Sequence, residues 1–566
     1  MPLISEVKFI TTPIRSLPPS DDGQTKLCGC IRSVCWLFLV LLLPFSSAQG
    51  ENLKEWVQQF NADDSGLEGW IPNGEALDFL EKNVPRFDCP DKELERTYYF
   101  RWWTYRKHIR KTPEGYVVTE FLPEVPWARK YNTINCPAGH HFREGRWLHD
   151  PKILSDYARF YFGGGGKPRQ YSFWAADSVL QFCNVTGDHT LAIELLDKLV
   201  ENYRVWESDR LCDDGLFWQI DDRDGMESSI GGSGKRPTIN SYMYGDAKAI
   251  AAIAAMANRP ELQKEFASKA VTLRKLINDK LWCDAHQFYK TIPHSPADRK
   301  LHTGKTCDAG PWVDVRELHG YTPWYFGVPE SGSSHQVAWR QMVDKEGFQA
   351  PFGPSTAEQR HPRSKLSYEG HECQWNGPSW PFATSVTLTA MANVLQDYPG
   401  PLPINKADYF KTLQTYAHSH RRVREDGKEV CWIDENLNPL TGDWISRTML
   451  IRKQQEAKKS GKKGDPGKLI DERGKDYNHS TFCDLVISGL FGLQPRADDE
   501  LHIKPLIPEH WDWCRLDNIR YHGHLLTIQW DRSGEKYRQG AGFQVFADGK
   551  RIGAAKTPGE LILKLP

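Results

Sequence analysis

The chain carries almost no net charge: 72 Lys and Arg against 73 Asp and Glu leave −1. Neither nucleic acid nor an anionic membrane surface is therefore the expected partner, because both are held by a basic face. No C-x-x-C pair occurs, so nothing points to a zinc knuckle. A glycine-rich phosphate loop, a nucleophile elbow and a His-Glu-x-x-His helix are missing as well, which removes nucleotide, serine-esterase and zinc-protease readings. Long apolar runs are scarce. The run at Val34 to Phe45 is too short to span a bilayer comfortably, and stable membrane insertion is not expected.

That run, preceded by Lys26 and Arg32 and followed by small residues at Ser46 and Ala48, reads as a secretory signal over 1–48. An uncleaved anchor is the other reading. Three of the 13 cysteines leave with the leader, and the ten that remain are widely spaced, which predicts a few structural disulfides of unassigned pairing. Sequons at Asn184 and Asn478 are glycosylation candidates on the secretory route. Tryptophan is plentiful, with 21 copies, and many sit among polar residues, as in "FRWWTYRKH" and "QWNGPSWP". About half are expected as core filler; polar-flanked indoles suit a cleft that stacks on sugar faces.

At 566 residues the chain exceeds the size of one small core. Following a lead-in over 49–90, residues 91–496 are the expected barrel, and from about Ser172 to Leu493 the signal is mostly helical and comes in pairs. "YGDAKAIAAIAAMA" is apolar nearly all round, as an inner helix should be. "PELQKEFASKAVTLRKLINDKLW" instead carries one stripe, Leu262, Phe266, Ala270, Leu273 and Ile277, as an outer helix should. The alternation recurs at "YSFWAADSVLQFC" with "HTLAIELLDKLVENYRVW", and at "WPFATSVTLTAMANVLQ" with "NKADYFKTLQTYAHSH". Helical hairpins closed into a ring, an (α/α)6 toroid, are the expected fold. Over 497–566 the period changes to two, and "ADGK" marks a tight hairpin turn, predicting a small antiparallel β domain. The lysine-heavy stretch Arg452 to Lys468 reads as a solvated loop.

Chemistry concentrates in three loop segments. "DDRDGMESS" holds Asp221, Asp222, Asp224 and Glu227 within seven residues. It lacks the acidic ladder of a calcium loop, although a structural calcium ion stays open; no other cofactor is expected. Neighbouring negative charge and burial would instead keep one carboxyl protonated as a general acid. "SYEGHECQWNGPSW" brings Glu372, Trp375 and Trp380 to a helix entrance, where sugar binding and simple packing both fit. "CWIDENLNPLTGDW" sets Asp434 and Glu435 beside Trp432 before an Asn-Pro turn. The adjacent His140 and His141 point two ways and make a poor ligand set.

In this order the three segments resemble the (α/α)6 glycoside hydrolases of the mannosylglycerate-hydrolase and processing α-glucosidase group (family 63), with trehalases as cousins. "ENLNPLTG" and "WNGPSW" carry most of the likeness, which covers about 170–493. The resemblance places Glu227 on the general acid and Glu435 on the general base. It implies an inverting, exo-acting enzyme, with the two carboxyls about 6.5–9.5 Å apart. Asp222 and Asp224 are expected on sugar hydroxyls. "YSFWAADS" resembles a tryptophan-aspartate substrate motif, which adds Trp174 and Asp177 to the expected ligands. Two departures stand out: glutamate replaces aspartate as acid, so that Asp224 is an alternative acid, and Asn376 replaces an arginine. The implied partner is an oligosaccharide or glycoside; the sugar, its linkage and the oligomeric state stay open. The rival expectation is a toroid that binds carbohydrate without cleaving it.

Overall fold

The structure, a computed structural model, describes residues 47–64, 66–294, 305–460 and 469–566. The signal and leader expected over 1–48 lie almost wholly outside them. Among the described residues no helix is long and apolar enough to cross a membrane. The chain is mainly helical, with an antiparallel sheet towards its C-terminus.

The paired pattern becomes paired helices. α1 (Lys92–Lys107), α2 (Ala138–Gly145), α3 (Lys152–Phe162), α4 (Ala175–Thr186), α5 (Thr190–Arg210), α6 (Pro237–Met256) and α7 (Pro260–Leu276) alternate in chain order with long loops. α8 (Thr322–Tyr325), α9 (Pro381–Asp397), α10 (Lys406–Ser419) and α11 (Phe482–Asp484) follow, and further helices run over Ser47–Asp63, Ala76–Asn83 and Ile445–Ser460. Proline opens α6, α7 and α9, where its fixed φ suits the first turn and its missing N–H costs nothing. Asn405 caps α10 in a capping box with Asp408, and Asp91 caps α1. α6 and α9 are buried along most of their length, whereas α7 buries only its predicted stripe, Leu262, Phe266, Ala270 and Leu273. Contacts run from α2 to α4, α6, α8 and α9, on to the segment Leu485–Leu490, and through α11 back to α2. These helices close a circuit of contacts, and α7 and α10 pack against members of it.

The C-terminal pattern becomes two sheets. β1 (Arg86–Asp88) lies at the edge of a five-stranded antiparallel sheet with β2 (Trp513–Tyr521), β3 (His524–Asp531), β4 (Gly542–Ala547) and β5 (Lys550–Ala555). A strand from the lead-in thus finishes the C-terminal sheet. The turn between β4 and β5 falls on Asp548 and Gly549, both at positive φ, as a two-residue hairpin requires. A three-stranded sheet joins Leu493–Gln494, Glu500–Ile503 and Leu561–Lys564.

Two sequence expectations need correction. The stretch from Arg452 begins not as a loop but as the last turns of a helix, Ile445–Ser460; residues 461–468 lie outside the described set. The two sequon asparagines, Asn184 and Asn478, are buried, with Asn478 Nδ2 donating to the Thr119 carbonyl. Neither side chain is presented to solvent, as attachment of a glycan to the folded chain requires. The ten cysteines of the described residues stand as thiols in this structure, which leaves the expected disulfides open.

Candidate active site

The acid-bearing segments run towards the N-termini of helices: 221–236 into α6, 369–380 into α9, 434–444 into the helix Ile445–Ser460, and 469–481 into α11. Backbone bonds lace the first three segments together. The Trp375 N–H donates to the Glu227 carbonyl at 3.1 Å, and Ser379 and Leu437 exchange a pair of bonds at 2.9 and 3.0 Å. Asn436 Nδ2 donates to the Glu372 carbonyl at 2.8 Å. Glu227 and Glu435, 208 residues apart in sequence, are thereby tied to opposite flanks of one segment.

The acid loop is tightly wound. Asp222–Asp224 form a 3-10 turn, closed by Gly225 at φ 72. A Cβ there would stand 2.5 Å from Cys136 Sγ. Ser228, next to Glu227, holds a left-handed φ of 64, unusual for a residue with a side chain. Glu227 keeps some exposure, yet its carboxyl lies well above the usual range. Burial is the main cause, partly offset by a bond from its own backbone; the charges of Asp222 and Glu435 add to it, as does a hydrogen bond to Asp222.

Glu435 is buried. Burial raises its carboxyl, Arg473 pulls it back down from 3.5 Å, and Asp434 and Glu372 push it up again. The Cys373 thiol donates to Glu435 Oε2 at 3.5 Å. Burial pushes that thiol well above its ordinary value, and the charges of Glu435 and Glu227 both add to the effect. One thiol thus feels both carboxylates. Asp434 faces away from this hollow: it pairs with Arg447 at 2.8 Å and accepts from Ser446. It anchors the turn that presents Glu435.

The expected sugar ligands divide. Asp222 is half exposed beside Glu227. Glu372 joins the same network through Lys453 at 2.9 Å and Arg473 at 3.8 Å. Trp375 and Trp380 stack with ring centroids 4.6 Å apart and planes 15° apart. The others stand elsewhere. Asp224 is buried against Arg236 at 2.8 Å and accepts from Thr238, so its committed carboxylate serves neither as acid nor as an open sugar ligand. Trp174 is buried among His140, Tyr242 and Tyr325, a plug inside the ring. Asp177 lines a polar cavity of about 340 Å³ with Arg143, Arg146, Lys248 and Asp484, beneath that plug. The motif resemblance put Trp174 and Asp177 in the sugar site, but α4 starts deep in the ring, its first N–H groups capped by Asp246 of α6.

Sequence reading missed three members. Glu120 is buried, accepts from Tyr477 and is pushed up to about 8 by burial, with Glu435 adding to the rise. Arg473 and Tyr477 lie in the loop before α11. The available signal was positional: Arg473 and Tyr477 lie just before α11, as the acid loop lies just before α6. His141 is structural, bonded to Tyr157 at 3.0 Å and to the Asn478 carbonyl at 2.7 Å. Among the described residues one group has the spacing of metal ligands, Cys283, His286 and Cys307, and it includes none of these acids.

Comparison with known proteins shows the family of the chain. A family model described as the mannosylglycerate hydrolase MGH1-like glycoside hydrolase domain matches residues 130–480, and a glycosyl hydrolase family 65 C-terminal domain matches 494–553. A solved structure titled sialidase is 39% identical with a TM-score of 0.80 over 91% of this chain. The match covers 44% of that protein, so this chain spans less than half its length. Native α-L-rhamnosidase from Aspergillus terreus is 11% identical, with a TM-score of 0.48 over 85% of this chain and 49% of its own. A GH63 mannosylglycerate hydrolase from Thermus thermophilus in complex with glucose is 14% identical, with a TM-score of 0.44 over 62% of this chain and 98% of its own.

Proposed function

Because the chain belongs to the MGH1-like glycoside hydrolase domain family, we propose that it hydrolyses the terminal glycosidic bond of an uncharged glycoside. Glu227 is the general acid and Glu435 the general base. The observation that carries this reading is the electrostatic asymmetry of the pair. Burial, Asp222 and Glu435 hold the Glu227 carboxyl protonated, while Arg473 stands against Glu435 and favours its ionised form. Protonated Glu227 gives its proton to the leaving oxygen as the bond breaks; Glu435 takes a proton from the attacking water. Inversion and exo attack follow the family resemblance. The six-hairpin ring is supported by the closed circuit of helix contacts, and secretion by the leader motif.

The uncharged substrate rests on the site's own charges. Among the described residues the cations at the site are engaged by resident acids: Arg473 with Glu435 and Glu372, Lys453 with Glu372, and Arg223 beside Asp222 at 3.8 Å. A sugar carboxylate would have to displace one of these acids to find a counter-charge. The test is release of aglycone from aryl α- and β-glycosides of neutral sugars, with an aryl sialoside alongside, and proton NMR of the first anomer formed. Turnover of neutral glycosides with inverted product supports the reading. Turnover of the sialoside alone overturns the charge argument. Tight sugar binding without release returns the inactive toroid.

A further inference from the structure

Cys283, His286 and Cys307 bring their sulfur and ring-nitrogen atoms within 4.8 Å of one another, away from the acid site. Trp282–Cys283 and Phe288–Tyr289 pair as a tight hairpin with His286 in its turn. Residues 305–316 dock on that hairpin. Trp312 Nε1 donates to the Lys280 carbonyl at 2.8 Å, the Val313 N–H to the Thr291 carbonyl at 2.9 Å, and Arg316 Nε to the His286 carbonyl at 2.9 Å. Cys307 sits in a small loop of its own, its N–H donating to the Trp312 carbonyl at 2.8 Å.

Two readings compete for such a cluster, and the polar partners separate them. Lys290, buried behind the hairpin, donates through Nζ to His286 Nδ1. That ring nitrogen is therefore an acceptor already in use, and the other carries the proton, so the imidazole offers a metal no lone pair. Lys290 and Arg316 also bring positive charge to the cluster, which repels a divalent cation. From this geometry we propose that Cys283 and Cys307 are a disulfide pair that pins residues 305–316 to the hairpin. The thiolate of one cysteine attacks a sulfur of a small-molecule disulfide, forming a mixed disulfide and releasing one thiolate. The second cysteine loses its proton and attacks the first, forming the Cys283–Cys307 bond and releasing the second thiolate. The two electrons lost by the pair reduce the small-molecule disulfide. The pin has a consequence for the site: the segment continues into Glu317, whose carboxylate accepts from the Gly231 N–H of the acid loop at 3.1 Å.

The experiment treats the reduced full-length protein with oxidised glutathione, alkylates the remaining thiols and maps peptides by mass spectrometry without reduction. The expected result is a peptide in which Cys283 is joined to Cys307, with a higher Tm than the reduced protein. A Cys307→Ser variant loses both the linkage and the Tm gain. Alkylation of both cysteines after oxidation, or their pairing with other cysteines, overturns the proposal. So does one equivalent of zinc in the purified protein whose removal by chelation exposes both thiols.

Discussion

Replacing Arg473 with methionine removes a cation that stands 3.5 Å from Glu435. At that separation a unit pair is worth about 1 kcal/mol in water and about 5 kcal/mol at the effective dielectric of a protein site. With about 1.4 kcal/mol to a pH unit, the Glu435 carboxyl should rise by about 1–3 pH units. The base must be ionised to act, so the acid limb of kcat/KM moves to higher pH by that amount. Stability follows the same sign. A carboxyl whose folded value lies above its unfolded one stabilises fully below the unfolded value, and that contribution is lost as pH rises through the folded value. The variant should thus lose more Tm at pH 7 than at pH 5. The assay is a pH profile with an aryl glycoside, beside Tm at both pH values, with Arg473→Lys expected to restore part of the acid limb. An unmoved acid limb in a folded, active Arg473→Met protein would refute the assignment of Glu435 as base.

Other expectations concern neighbouring acids. Asp224→Asn strips a buried partner from Arg236 and should cost about 3–5 kcal/mol, read by denaturant unfolding. Half-exposed Asp222→Asn should change stability by less than about 0.5 kcal/mol. It should also lower the basic limb of the pH profile, because Glu227 loses a like charge. Glu120, pushed up to about 8 from an ordinary 4.5 by burial, stabilises the fold at acid pH and loses that contribution as pH rises towards 8. Tm measured from pH 5 to 9 should fall less steeply for Glu120→Gln than for the parent.

Much of the fold was legible because its signals are local. The stripe on α7 and the all-round burial of α6 and α9 are periodicities within twenty residues, and the β4–β5 turn is set by two. Elements whose partners lie far away were not legible. β1 pairs with β2 across more than 400 residues, and the lead-in offers no alternation that would announce a strand. The acid segments were found because carboxylates and tryptophans cluster in them, but clustering does not fix direction. Asp222 and Asp224 are two residues apart, and the 3-10 turn sends one to the site and the other into an ion pair. Asn478 reads as a sequon, yet its backbone pairs with Glu120 and its side chain with Thr119, contacts visible only once the ring closes.

The central claim is that Glu227 hands a proton to the leaving group. The most direct measurement compares Glu227→Gln with the parent on aryl glycosides of one sugar and graded leaving-group acidity. If Glu227 is the acid, kcat/KM should fall by about 10²–10⁴ for poor leaving groups and recover towards the parent value for leaving groups that depart without protonation. An equal loss across the series, or none, would contradict it.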